Sequence, residues 1–219
     1  MLDIVIPIYD DFTALDAVGP YEVLSRTGGR VRFVGREVGP VRTDNGMLSV
    51  IAEATLEDAA SPDIVVVPGG VATRALTTDP VWLDWIRGVH ATSTWTTSVC
   101  TGSLLLGAAG VLEGLRATSH WLELETLRQY GAEPTGQRVV EQGKVITAAG
   151  VSAGIDMALT LAARLIGEDG AKAIQLGIEY DPQPPFDAGS VEKSDPKLVN
   201  AIRDAVAARE AASRERAGV

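Results

Sequence analysis

The stretch Thr94-Trp95-Thr96-Thr97-Ser98-Val99-Cys100-Thr101-Gly102-Ser103 constrains the fold of this chain more than any other. Its first half is β-branched and reads as a buried strand. It runs into Leu104-Leu105-Leu106-Gly107-Ala108-Ala109, small and apolar, which reads as a helix. The corner between them holds Ser98, Gly102, Ser103 and the chain's single cysteine, Cys100. A strand-to-helix corner of this kind lifts one side chain out of the sheet toward solvent and points the following backbone N–H groups at it. A nucleophile belongs there, and a strand that ends in such an elbow belongs inside an α/β sheet.

The rest of the chain supplies that sheet. Leu2 to Ile8 is apolar without polar alternation, the pattern of a parallel strand covered on both faces. Asp63 to Val67 repeats it and enters Pro68-Gly69-Gly70, where the backbone can approach a ligand closely. Val31 to Val38 is a second strand, Met47 to Ala52 a short third one, and Arg138 to Thr147 a hairpin turning at Gln142-Gly143. Thr13 to Arg26 reads as helical but interrupted at Gly19-Pro20, with the main helix from Tyr21 to Ser25, so that Asp16 falls on an irregular approach. Further helices are expected over Pro80 to His90, with Trp82 and Trp85 facing the core, and over Trp121 to Tyr130. Others run from Ser152, as N-cap, to Ile166, and from Asp169 or Gly170 to Tyr180. Pro182 to Ser190 is a Pro-rich ordered loop, and Asp195-Pro196 opens a last helix whose end, from about residue 210, is expected to fray. Alternating strands and helices predict one α/β domain over residues 1–219, a doubly wound, mostly parallel sheet flanked by helices in a three-layer, flavodoxin-like sandwich. Sites in such sheets lie beyond the carboxyl ends of the strands. Asp16, Gly70 and Cys100 each follow a different strand and can therefore converge.

Charge and cysteine content narrow the function. A net charge of −10, from 19 Lys+Arg against 29 Asp+Glu, argues against a nucleic-acid or anionic-membrane surface and leaves a small neutral substrate open. One cysteine permits no intramolecular disulfide, which suits a reducing cytoplasm. The N-terminal residues have no basic segment and read as a strand rather than a signal peptide, and no apolar run approaches the roughly 20 residues of a membrane span.

At the convergence, Cys100 is the candidate nucleophile, its thiolate favoured by the helix N-terminus. The N–H of Thr101 and one from Gly69 or Gly70 are candidate donors to negative charge developing on a substrate. Asp16 is either a helix-entry cap or an acid beside Cys100. Two negative groups in contact repel by about 1 kcal/mol in bulk water and about 4 kcal/mol at an effective dielectric near 20, so the pair should hold one proton between them at neutral pH. Glu22 is a rival for the acid's role. A Cys-His hydrolase would need His90 or His120 near the sulfur; His90 reads as a helix-terminal residue and His120 as a structural one. Two histidines, one cysteine and no clustered ligands predict no metal site, and the glycine pairs lack nucleotide-binding spacing.

At these residues the chain resembles the ThiJ/PfpI superfamily, whose fold is similar to the class I glutamine amidotransferases. Within it the chain looks most like the isonitrile (isocyanide) hydratases. The resemblance spans roughly residues 1 to 200. It is carried by Leu15-Asp16 with Gly19-Pro20-Tyr21-Glu22-Val23, Val67-Pro68-Gly69-Gly70, Val99-Cys100-Thr101-Gly102 and Arg116-Ala117-Thr118-Ser119-His120-Trp121. It continues in Gly150-Val151-Ser152-Ala153-Gly154-Ile155-Asp156 and Tyr180-Asp181-Pro182-Gln183-Pro184-Pro185-Phe186, the last being the most specific. The resemblance implies Cys100 as nucleophile, Asp16 as its acid/base partner and Thr101 as a residue holding thiolate or water. It also implies a thioimidate intermediate hydrolysed to an N-substituted formamide, a homodimer, no cofactor, and a small apolar substrate between some of Trp121, Ile155, Tyr180 and Phe186. A glyoxalase- or amidase-like hydrolase, and a redox-sensing or ligand-binding module built on an oxidisable thiolate, are the competing expectations.

Overall fold

A computed structural model describes the backbone of residues 1–217 and the side chains of residues 1–208. The chain divides into two compact units, Met1–Tyr180 and Asp181–Val219. In the first, the elements run β1 (Asp3–Pro7), α1 (Ala14–Leu24), β2 (Arg30–Gly35), β3 (Gly39–Arg42), β4 (Ser49–Ala52), β5 (Ala54–Thr55) and β6 (Ile64–Val67). They continue with α2 (Thr73–Leu76), α3 (Pro80–Thr92), β7 (Trp95–Val99), α4 (Gly102–Ala108), β8 (Arg116–Ala117), β9 (Glu133–Pro134), β10 (Val139–Gln142), β11 (Val145–Ala148), α5 (Ala153–Ile166) and α6 (Glu168–Gly177). The second unit holds a loop and α7 (Pro196–Ala217); the frayed end expected from about residue 210 lies outside the residues whose side chains are described.

The main sheet has seven strands in the order β10-β11-β7-β6-β1-β2-β5, parallel except for β10, which pairs antiparallel with β11 across a turn at Gly143 (φ 59). Its central strands are the apolar runs of the sequence: Ile4, Val5 and Ile6 of β1 and all of β6 are buried, as strands covered on both faces must be. From β1 the chain steps one way to β2, and from β6 it steps the other way to β7. Right-handed crossovers then place the intervening helices on opposite faces. Accordingly α1 packs with α5, while α4 packs with α2 and α3. The reversal lies between the carboxyl ends of β1 and β6, the place where open α/β sheets bind ligands.

The structure corrects several local expectations. Helix α1 runs unbroken through Pro20, so Asp16 sits in its first turn rather than on an irregular approach. Ser152 makes no N-cap hydrogen bond, because its hydroxyl accepts instead from the Arg138 guanidinium (3.2 Å). The segment after Trp121 forms turns and a 3-10 helix over Leu124–Tyr130, closed by left-handed Gly131 (φ 73). The segment around Met47 lies outside the main sheet, in a hairpin of β3 with β4. Trp82 is buried edge-on against Tyr9 (ring centroids 5.4 Å apart), and Trp85 donates its indole N–H to Leu56 O (2.8 Å).

Candidate active site

The elbow is built from backbone outward. Cys100 has φ 57, left-handed for a residue with a Cβ, which costs roughly 1–2 kcal/mol. Its neighbours hold it there. The Cys100 N–H donates to Ala148 O (3.1 Å) and Ala149 O (3.0 Å) at the end of β11. Its carbonyl accepts from the Ser103 and Ser119 hydroxyls, both at 3.1 Å. Gly102 lets α4 begin directly against the end of β6, since a Cβ there would overlap the Val67 carbonyl. The side chain is not aimed at solvent, however: Cys100 is only 5% exposed.

Asp16 meets it from α1. The carboxyl is fully buried, and its Oδ2 accepts the Gly69 N–H (2.9 Å). Its Oδ1 has no N–H or O–H partner, and the Cys100 thiol is the side chain that interacts with the carboxyl. Burial pushes the Asp16 pKa up to about 7; the Gly69 N–H and the thiol offset part of that, and the Asp44 carboxylate adds to it. Burial, then the Asp16 charge, push the Cys100 thiol well above its ordinary value against the pull of the Val151 and Thr101 N–H groups. Burial thus weighs against a thiolate at this helix N-terminus, and the Val151 and Thr101 N–H groups weigh for it. Helix α4 is seven residues long, and desolvation outweighs what its first N–H groups give. The pair is a thiol beside a carboxyl that titrates near neutrality, and its protons belong to both groups.

Two of the three expected oxyanion donors are engaged within the site. Gly69 N–H serves Asp16, and Gly70 N–H, proposed from the sequence for that role, donates to the Thr101 hydroxyl (3.0 Å). The N–H groups acting on the sulfur are those of Thr101 and Val151. Val151, which the sequence did not single out, has φ 38, and a Cβ on the preceding Gly150 would lie 2.7 Å from the His120 ring.

The DJ-1/PfpI family model matches residues 3–164. The chain belongs to the DJ-1/PfpI family. A relative, the isonitrile hydratase of Pseudomonas putida, is 43% identical over 197 residues, covering 90% of this chain and 86% of that protein. An HTH-type transcriptional regulator of Pseudomonas aeruginosa, CdhR, is 32% identical over 170 residues, covering 75% of this chain but 50% of its own length. The crystal structure of a ThiJ/PfpI family protein from Pseudomonas syringae superposes with a TM-score of 0.91 at 36% identity, covering 94% of this chain and 87% of that one.

The remaining residues singled out from sequence have these surroundings. Ile155 packs on α1, its Cγ1 3.1 Å from where a Gly19 Cβ would sit, one turn from Asp16. Tyr180 interacts with Asp156 and Arg138 at the start of α5, and Trp121 lies 5.8 Å from the His120 ring. Phe186 belongs to the second unit and is 77% exposed. A cavity of about 600 Å³ opens beyond β1 and β2, between Tyr9, Arg36, Val41, Leu76 and Trp82, and Cys100 is not among its lining residues. Glu22 pairs with Arg26 on the exposed face of α1, which removes it as a rival to Asp16. His90 Nδ1 lies 2.8 Å from the Thr96 hydroxyl near the start of β7, at the far end of that strand from Cys100. His120 is half-buried, its pKa lowered chiefly by burial, and its ring packs against Gly150, the residue before Val151. Among the described residues, no three His, Cys, Asp or Glu side chains cluster to hold a metal ion, and no helix is long and apolar enough to cross a membrane.

Proposed function

We propose that the protein is an isonitrile hydratase, adding water to a small apolar isonitrile to give an N-substituted formamide without a cofactor. The observation that carries this is the buried Asp16 carboxyl, its pKa raised to about 7, interacting with the buried Cys100 thiol at the strand-to-helix elbow. An isonitrile carbon accepts a nucleophile and a proton at the same atom, so it needs a sulfur and an acid side by side. The first step starts from the pair holding one proton: the sulfur bonds the terminal carbon while that proton, relayed through Asp16, is delivered to the same carbon, leaving a thioimidate and an ionised Asp16. Water then bonds the thioimidate carbon, its proton passing to Asp16 and from there to nitrogen. Cleavage of the carbon–sulfur bond returns the hydroxyl proton through Asp16 to sulfur and releases the formamide.

Two features favour this over the amidase-like reading. A tetrahedral oxyanion needs free donors, and of the three N–H groups expected to serve one, those of Gly69 and Gly70 are spent inside the site, leaving that of Thr101. A sulfur 5% exposed admits the narrow, linear end of an isonitrile more readily than a planar amide flanked by two substituents. The 43% identical relative named an isonitrile hydratase supports the same reading. The test is incubation with a panel of alkyl and aryl isonitriles, with mass spectrometry following formamide and protein adduct. Formamide from the wild type and none from Cys100→Ala is expected; full turnover by Cys100→Ala refutes the proposal.

A further inference from the structure

Behind Thr101 lies a chain of buried hydroxyls that the mechanism above does not use. The Tyr9 hydroxyl donates to Pro68 O (2.7 Å) and lies 3.2 Å from Thr73 Oγ1. The Thr73 hydroxyl donates to Gly70 O (2.7 Å) and lies 2.9 Å from Thr101 Oγ1. Thr101 Oγ1 accepts the Gly70 N–H (3.0 Å) and is 3.3 Å from Gly70 O. Tyr9 and Thr73 are both buried.

Each hydroxyl has one proton, so the directions can be counted. Giving the protons of Tyr9 and Thr73 to the two carbonyls uses the two 2.7 Å contacts. Thr73 Oγ1 then has no proton left for Thr101, and the 2.9 Å contact is closed by Thr101 donating to Thr73. The opposite arrangement runs Tyr9 to Thr73, Thr73 to Thr101 and Thr101 to Gly70 O, through contacts of 3.2, 2.9 and 3.3 Å, and strips the Pro68 carbonyl of its short partner. The first is favoured on length, and in neither does the Thr101 hydroxyl turn a proton toward the sulfur. In the first, one Thr101 lone pair is taken by Gly70 N–H and one remains. Thr101 Oγ1 and Asp16 Oδ2 lie 2.6 and 2.9 Å from where a Gly69 Cβ would be, within reach of one water between them.

We propose that Thr73, backed by Tyr9, is a positioning residue that commits the Thr101 hydroxyl to accept a hydrogen bond, so that Thr101 and Asp16 together hold the attacking water by its two hydrogens. This rests on the hydratase reading. A water held in that way turns its oxygen lone pair toward the thioimidate carbon and already has one hydrogen on its base, Asp16. Thr73 then matters for the second half of the reaction and not for the first, in which no water takes part.

The experiment compares wild type, Thr73→Val and Thr73→Ser with one alkyl isonitrile by rapid mixing, acid quench and intact-protein mass. Thr73→Val is expected to form the Cys100 adduct at the wild-type rate but to hydrolyse it about tenfold more slowly, the worth of one hydrogen bond. Adduct then accumulates, kcat falls and kcat/KM holds. Thr73→Ser, which keeps the hydroxyl, is expected to restore hydrolysis. Wild-type hydrolysis in Thr73→Val, or equal slowing of both halves, overturns the proposal. A neutron structure of the deuterated wild type decides the same point without turnover: a Thr101 deuteron on the line to Thr73 Oγ1 supports it, and one aimed at Cys100 or Asp16 overturns it. A wild type that makes no formamide sinks the hydratase reading alone, and the deuteron position still decides the role given to Thr73.

Discussion

Replacing Asp16 by Asn should make the protein more stable as pH rises, while removing its acid. The Asp16 carboxyl is buried and holds its proton to about pH 7, against 3.8 for an ordinary Asp. Between those values the folded state keeps a proton that the unfolded state has released. Stability contributed by this group is therefore present below the unfolded value and lost as pH climbs toward 7. Each pH unit in that window is worth about 1.4 kcal/mol, so the two units from pH 5 to 7 amount to about 3 kcal/mol. Asn carries no such titration. Its amide can still accept the Gly69 N–H through oxygen, so the 2.9 Å contact survives. Urea unfolding of both proteins at pH 5, 6, 7 and 8 should show the Asp16→Asn advantage growing by about 3 kcal/mol up to pH 7 and flattening above it. A difference between the two proteins that stays constant over this range would refute the buried carboxyl that titrates near neutrality, and with it the proton relay assigned to the first step.

Three other outcomes are expected. Iodoacetamide alkylation of Cys100 should show a rate shoulder with an apparent pKa near 7, as Asp16 ionises and begins to take the thiol proton, and Asp16→Asn should lose that shoulder; this is read from pH–rate profiles. Gly69→Ala places a Cβ 2.6 Å from both Thr101 N and Thr101 Oγ1, and 2.9 Å from Asp16 Oδ2, so alkylation and any turnover should fall at least tenfold, with about 1–3 kcal/mol lost in urea unfolding. Lys144→Ala removes the ammonium that donates to His90 O and Ser93 O (3.1 Å) at the C-terminal end of α3, so it should cost about 1 kcal/mol of stability and leave the alkylation profile unchanged.

The parts of the site that the sequence exposed are those fixed by pattern. The β-branched run before Cys100 and the small residues after it specify an elbow, and apolar runs at residues 2–8 and 63–67 specify neighbouring parallel strands. Placing Asp16, Gly70 and Cys100 at the carboxyl ends of adjacent strands then needs only topology. What pattern does not carry is tertiary environment. Pro20 looks like a helix break, yet α1 keeps its course because Gly19 is filled by Ile155 and Pro20 packs against Gly154 of α5. Gly70 looks like a free donor until the fold brings a threonine hydroxyl onto it. Val151 gives no sign in sequence that its N–H faces the sulfur, since that depends on a φ of 38 imposed by the end of β11 and the packing of Gly150 on His120.

Burial weighs on the ionisation of the pair, and that bears on the chemistry. Cysteine at a helix start suggests thiolate, but that inference weighs the dipole and omits the solvent. Cys100 and Asp16, 5% and 0% exposed, are left almost without water. In such surroundings a charge is costly wherever it sits, so moving one proton between sulfur and carboxyl changes less than adding or removing one. That makes the neutral thiol a short step from nucleophile, provided the proton it gives up is used nearby. A substrate whose one carbon takes both the sulfur and the proton meets that requirement, because charge developing on the pair is cancelled in the same step. A substrate that gathers negative charge on oxygen does not, and here it would find the Gly69 and Gly70 N–H groups turned to Asp16 and Thr101.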